Sequence, residues 1–196
     1  MLLKDKLEGY RLILASASPR RRELLAACDL DFVLADKFEC EECYPADLSA
    51  DNVAEYLSQL KSNAYPYPLG EKDILLTADT VVILGDKILG KPHSEAEAVE
   101  MITSLSGATH KVVTGVTLRT AKQTISFSAE SLVSFRALEA EEIRYYVEKY
   151  RPLDKAGAYG IQEWIGYTAI ERIEGSFYNV MGLPVQRLYT TLKELL

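Results

Sequence analysis

Cysteine is scarce: three in 196 residues, an odd and sparse count that excludes a disulfide framework and fits a reducing compartment. Histidine is scarcer, with only His93 and His110, far apart in the chain. No stretch approaches the roughly 20 apolar residues of a membrane-spanning helix. The opening segment MLLKDKLEGY carries acidic residues and too short an apolar run for a secretory signal. Positive charge is in deficit, 22 Lys and Arg against 29 Asp and Glu, a net charge of −7. That balance argues against non-specific binding to nucleic acid or an anionic membrane. Internal repeats and low-complexity tracts are also missing. What remains is a chain with 48% hydrophobic residues, expected to fold as one domain over residues 1–196 and to work in the cytoplasm.

Against this acidic background, the stretch ILASASPRRRELLAA, Ile13 to Ala27, places three consecutive arginines at the start of a helix. Ser18 suits an N-cap and Pro19 the first helical position. Arg20, Arg21 and Arg22 then fall in the first turn, where each positive charge is disfavoured by roughly 0.3–1 kcal/mol. An anion held there reverses the penalty, because helix amides and guanidinium forks both prefer phosphate oxygens.

Apolar runs alternate with amphipathic ones. The pattern predicts strands over residues 11–15, 32–35, 74–78, 81–84, 87–89, 111–119, 124–135 and 167–173, with helices over 19–28, 50–64, 94–105, 139–150 and 184–195. Hairpins in the middle make the sheet mixed and the class α/β or α+β. Within LLTADTVVIL, Leu75 to Leu84, a carboxylate at Asp79 between two buried runs is costly unless paired, hydrogen-bonded or metal-bound. It is a candidate metal ligand or general base. The run from Gly85 to Lys91 fits G-x-x-x-x-G-K, but Pro92 stands where a Ser or Thr would hold magnesium, so it reads as a hairpin turn. Cys40 and Cys43 form a C-x-x-C without a second ligand pair, and Glu41 and Glu42 between them raise the thiol pKa, so neither a zinc nor a redox role is expected. The loop LDKAGAYGIQEW, Leu153 to Trp164, offers small residues for close backbone approach and, in Gln162, an amide able to read a base edge.

Four separated motifs, LASASPRR, ADTVV, GKP and DKAGAYGIQ…EGSFYNVMGLP, together resemble the Maf family of nucleoside triphosphate pyrophosphatases, from about Leu12 to about Leu192. The resemblance implies an elongated α/β fold: a mixed twisted sheet flanked by helices, with two lobes around a central cleft, as in inosine triphosphatases. It implies hydrolysis of a nucleoside triphosphate to the monophosphate and pyrophosphate, a divalent metal (Mg2+ or Mn2+) and a homodimer. Carried over by motif, Asp79 is the catalytic base and shares the metal with Glu42, Glu41 being the alternative. Ser16, Arg20, Arg21, Lys61 and Lys91 are phosphate contacts, and Arg20, Thr80 and Gln162 separate the subfamilies. ADT with YGIQ resembles the branch acting on dTTP and UTP rather than on 7-methyl-GTP, although EWIGY departs from the glycine-rich run many members carry after the Gln. Two other readings are a nucleotide-sensing regulator of cell division that does not cleave, and a triphosphate-clearing enzyme of purine specificity. Asp79 argues against the first, and Gln162 against the second.

Overall fold

The computed structural model describes residues 1–196. Its strands are β1 (Arg11–Leu14), β2 (Val33–Leu34), β3 (Asp73–Leu84), β4 (Lys87–Leu89), β5 (Thr109–Arg119), β6 (Thr124–Phe135) and β7 (Ile170–Glu174). The helices are α1 (Leu3–Lys6), α2 (Pro19–Ala26), α3 (Ala50–Ala64), α4 (Glu95–Leu105), α5 (Ala140–Tyr150), α6 (Trp164–Ala169), α7 (Phe177–Met181) and α8 (Val185–Leu195), with a 3-10 turn at Ala156–Ala158. The seven strands make one mixed sheet in the order β2-β1-β3-β5-β6-β7, with β4 hairpinned onto β3. β1 is parallel to β2 and β3, whereas β3–β4 and β6–β7 are antiparallel. The mixed α/β class expected from the sequence is the one adopted.

The chain packs as two compact units. Unit 1 comprises Met1–Asp79, Thr114–Ala129 and Gly182–Leu196; unit 2 comprises Thr80–Val113 and Glu130–Met181. In unit 1 the start of the β1–β3 pair is fixed by charge. Arg11 donates from Nε and Nη2 to the two carboxylate oxygens of Asp73 at 2.8 and 2.7 Å, and its guanidinium holds that carboxyl below the usual range. Helix α3 buries Val53, Ala54, Leu57, Ser58 and Ser62, and its chain leaves through Tyr65 and Pro66, where proline forbids another turn. Gly115 of β5 lets α3 come close: a Cβ there would stand 2.2 Å from the Ala54 carbonyl oxygen.

Unit 2 buries Ile102, Leu105, Val133, Phe135, Ile143 and Tyr146 around α4 and α5. Ser94 caps α4 by accepting from the Glu97 amide at 3.1 Å. His110 donates to or accepts from the Tyr159 hydroxyl through Nε2 at 2.7 Å, edge-on to Phe135. Gly85, at φ +60°, makes the β3–β4 turn, so the G-x-x-x-x-G-K run is a hairpin as expected.

Three expectations shift. The break expected at residues 79–80 is absent, and β3 runs unbroken through Asp79, because a neighbouring lysine satisfies the carboxylate (below) and no turn is needed. Residues 164–169, predicted in part as strand, form α6. Gly166 sits so close to the Ile161 carbonyl oxygen that a Cβ would lie 1.7 Å from it, and Thr168 bonds back to the Trp164 carbonyl. Residues 177–181, given no element by the sequence pattern, form α7, whose first turn Ser176 caps by accepting from the Asn179 amide at 3.3 Å.

Candidate functional site

The chemistry of unit 1 gathers at the C-terminal end of α3 and the middle of β3. Asp79 and Lys61 meet there, with Lys61 Nζ 2.5 Å from Asp79 Oδ1 and the two side chains only 13% and 17% exposed. Glu42 reaches the same ammonium from the preceding loop, at 3.1 Å, while its own side chain stays half exposed. Of the two glutamates considered, Glu42 therefore joins the cluster. Glu41 instead accepts from the Cys43 thiol.

Ser16, Arg20 and Arg21 come together at the start of α2, where Ser18 occupies the N-cap without a side-chain cap bond. Arg21 turns inward. Its Nε donates to the Gly182 carbonyl at 2.8 Å, and its Nη1 donates to the Ala78 carbonyl at 2.9 Å and to Ser16 Oγ at 3.1 Å. Burial lowers its pKa; Asp79 opposes that shift and Arg20 adds to it. One of the three arginines thus grips the peptide immediately before Asp79. Arg20 remains at the helix start, partly buried, and Arg22 is exposed. Of the residues picked from the sequence, Glu42, Lys61 and Asp79 form one ion-pair cluster, and Ser16 and Arg21 form a second group that holds the Ala78 carbonyl beside it.

Thr80, Lys91 and Gln162 belong to unit 2. Thr80 is partly buried and Lys91 is exposed, the latter following β4. Gln162 sits on a loop held by a charged network absent from the sequence reading. Lys155 is buried against Glu163 at 3.1 Å and Asp154 at 2.7 Å; Tyr146 donates to Glu163 and accepts from the Gly160 amide at 3.0 Å. Burial first and Glu163 second push the Tyr146 hydroxyl pKa up. Gln162 Oε1 is itself buried without a protein donor. The buried Lys155 in DKAG was the available signal: a lysine among small residues must find a carboxylate.

The donor set suits a divalent cation of the magnesium type. Glu42 and Asp79 both place an oxygen against the Lys61 ammonium, which brings the two carboxylates close enough to share a cation bound beside it. Such cations take one or two protein carboxylates and complete their shell with water and substrate phosphate. Cys40 and Cys43 do not extend the set. Burial and Glu42 raise the Cys40 thiol pKa, and Glu41 raises that of Cys43, so both favour the protonated form, which does not bind metal.

Residues 11–195 match the family model for Maf-like protein. A dTTP/UTP pyrophosphatase of Bacteroides thetaiotaomicron is 52% identical over 189 residues, 96% of this chain and 98% of the relative. Another of that name, from Porphyromonas gingivalis W83, is 52% identical over 192 residues, 97% of this chain and 96% of the relative. Among solved structures, the nucleoside-triphosphatase, or dITP/XTP pyrophosphatase, of Mycobacterium abscessus aligns over 95% of this chain and 98% of its own at 15% identity and a TM-score of 0.46. The chain belongs to the Maf family.

Proposed function

We propose that this protein hydrolyses dTTP and UTP to the nucleoside monophosphate and pyrophosphate. The observation that carries the reading is the Lys61–Asp79–Glu42 cluster, a carboxylate base beside a cation in a chain whose relatives bear that activity in their names. Asp79 takes a proton from water as the water oxygen bonds to the α-phosphorus. The bond from that phosphorus to the bridging oxygen breaks, and pyrophosphate leaves. Lys61, Lys91, Ser16 and Arg20 are assigned to the phosphate oxygens, where ammonium and guanidinium groups offset charge that builds in the transition state. Arg21 is assigned to hold the Ala78 carbonyl, and through it the strand under Asp79. Glu42 and Asp79 would hold Mg2+ or Mn2+, which supplies charge neutralisation and a more acidic water when bound.

Thr80 and Gln162 are assigned to the base. The unpartnered Gln162 Oε1 supports this, since a uracil or thymine N3–H is a donor it can accept, whereas cytosine N3 is an acceptor. The reading extends to a cytoplasmic homodimer that works as one module over residues 1–196 on a small nucleotide. The net charge of −7 and the lack of any helix long and apolar enough to cross a membrane support leaving nucleic acid and bilayer out of its partners. The test is relative kcat/KM for dTTP, UTP, CTP, GTP and 7-methyl-GTP. The two first-named should lead, and Gln162→Ala should flatten the preference more than it lowers the best rate, because an unmatched buried edge can reject a wrong base by up to ~10⁴. A clear preference for either purine nucleotide contradicts the base assignment.

A further inference from the structure

Beneath the Lys61–Asp79 pair lies a chain of hydroxyls in an otherwise apolar interior. Ser58, Thr77 and Thr117 have no exposed surface. Thr77 Oγ1 donates to the Ser58 carbonyl at 2.7 Å. Ser58 Oγ donates to the Glu55 carbonyl at 2.7 Å and lies 2.7 Å from Thr117 Oγ1, which in turn lies 3.0 Å from Ser126 Oγ. Each hydroxyl has one proton, and a carbonyl can only accept, so the direction is fixed. Ser58 spends its proton on Glu55, Thr117 must donate to Ser58, and Ser126 must donate to Thr117. One residue of α3 is thereby bonded to side chains of β3 and β5, and through Thr117 to Ser126 of β6.

The spacing gives this hub its meaning. Thr77 stands two residues before Asp79 on β3, so both side chains leave the same face of the strand. Ser58 stands three residues before Lys61 on α3, so both lie on the same face of the helix. The Thr77–Ser58 bond is the adjacent rung of the ladder in which Lys61–Asp79 is the next. Gly115 removes the side chain that would hold α3 off the sheet at Ala54, one turn further back. Apolar packing alone tolerates sliding of a helix over a sheet, whereas donors and acceptors buried at fixed points do not, because a slip leaves them unpaired. We propose that Ser58, Thr77 and Thr117 are positioning residues that set the register of α3 on β3 and so place the Lys61 ammonium against Asp79. The proposal rests on the reading above in which Asp79 and Lys61 act on the triphosphate.

The experiment is steady-state dTTP hydrolysis with Mg2+ by Thr77→Val, Thr77→Ser, Lys61→Ala and the double variant Thr77→Val/Lys61→Ala, at a temperature where each is fully folded by circular dichroism. Thr77→Val keeps the shape and loses the donor. Its kcat should fall at least ~10-fold with KM changed less than about threefold, since a misplacement near 1 Å costs up to ~100-fold. Thr77→Ser restores the hydroxyl and should recover kcat to within about threefold. In the Lys61→Ala background, Thr77→Val should cost nothing further, as expected of residues that act as a unit. Wild-type kcat in Thr77→Val, failure of Thr77→Ser to recover it, or full additivity with Lys61→Ala would each overturn the proposal. Should Thr77→Val not fold, Ser58→Ala tests the other bond of the hub: it removes the acceptor for Thr117 and keeps the backbone carbonyl that accepts from Thr77, and wild-type kcat in it would likewise overturn the proposal. Wild-type turnover in Lys61→Ala and Asp79→Asn together would instead remove the catalytic reading on which the proposal rests.

Discussion

Arg21 and Arg20 are adjacent arginines with opposite expected consequences, and their substitution separates structure from binding. Arg21→Met keeps the aliphatic stem and removes the guanidinium, so the Ala78 and Gly182 carbonyls lose donors now at 2.9 and 2.8 Å. Each hydrogen bond lost between the charged guanidinium and a carbonyl costs about 1.5–3 kcal/mol. Relief of the guanidinium's own desolvation, the largest influence on its pKa, offsets part of that. Ser16 Oγ still accepts from the Ser18 amide and adds little. The net loss should be about 2–3 kcal/mol, which in a chain of 196 residues lowers Tm by roughly 5–10 °C. Arg20→Met removes a charge that opposes the α2 dipole, a gain of about 0.3–1 kcal/mol that offsets the loss of the side chain's own contacts, and should change stability less than Arg21→Met does. Differential scanning calorimetry of both variants without ligand, with urea unfolding as a second measure, makes the comparison. A Tm for Arg21→Met within 1–2 °C of wild type, or a larger loss in Arg20→Met, refutes the claim that Arg21 clamps the strand beneath Asp79; the size of that margin follows from the same ~2–4 °C per kcal/mol.

Two further outcomes are expected. His110 is buried and neutral, its pKa lowered from 6.5 to about 4 by desolvation, so the unfolded chain binds the extra proton first as pH falls. Stability should therefore be complete above pH 6.5 and decline towards pH 4 by on the order of 3 kcal/mol, a slope that His110→Gln removes; equal slopes in the two proteins contradict it. Replacing Cys40 and Cys43 by serine should leave turnover and metal content unchanged, because both thiols are held protonated; stoichiometric zinc that vanishes in the double variant would be the opposing result.

Much of this was legible in the chain, and the exceptions have physical reasons. The mixed sheet followed from alternation of apolar runs with amphipathic helices, and the hairpin at Gly85 from its turn residues. Asp79, Lys61 and Glu42 were named from motifs and do converge. The inward turn of Arg21 was not legible, since three arginines in a row look alike until the Ala78 and Gly182 carbonyls are brought beside one of them. The break expected at Asp79 was wrong because propensity does not know that Lys61 will arrive. Helix α6 was missed because Ile165, Tyr167 and Thr168 carry strand propensity, whereas the fold back of Gly166 onto the Ile161 carbonyl shows only in the folded backbone. The hydroxyl hub left only a faint mark: Thr77 in an apolar strand and Ser58 on the apolar face of α3.

The central claim, attack of water on the α-phosphorus with Asp79 as base, is tested most directly by turnover of dTTP in ¹⁸O-labelled water by the wild type and by Asp79→Asn. The wild type should release dTMP and pyrophosphate in equal amounts, with the label in dTMP. Asp79→Asn should turn over at least ~100-fold more slowly, the usual scale for a lost general base, while still binding the triphosphate. Label in pyrophosphate or orthophosphate, or near wild-type turnover by Asp79→Asn, would contradict the account.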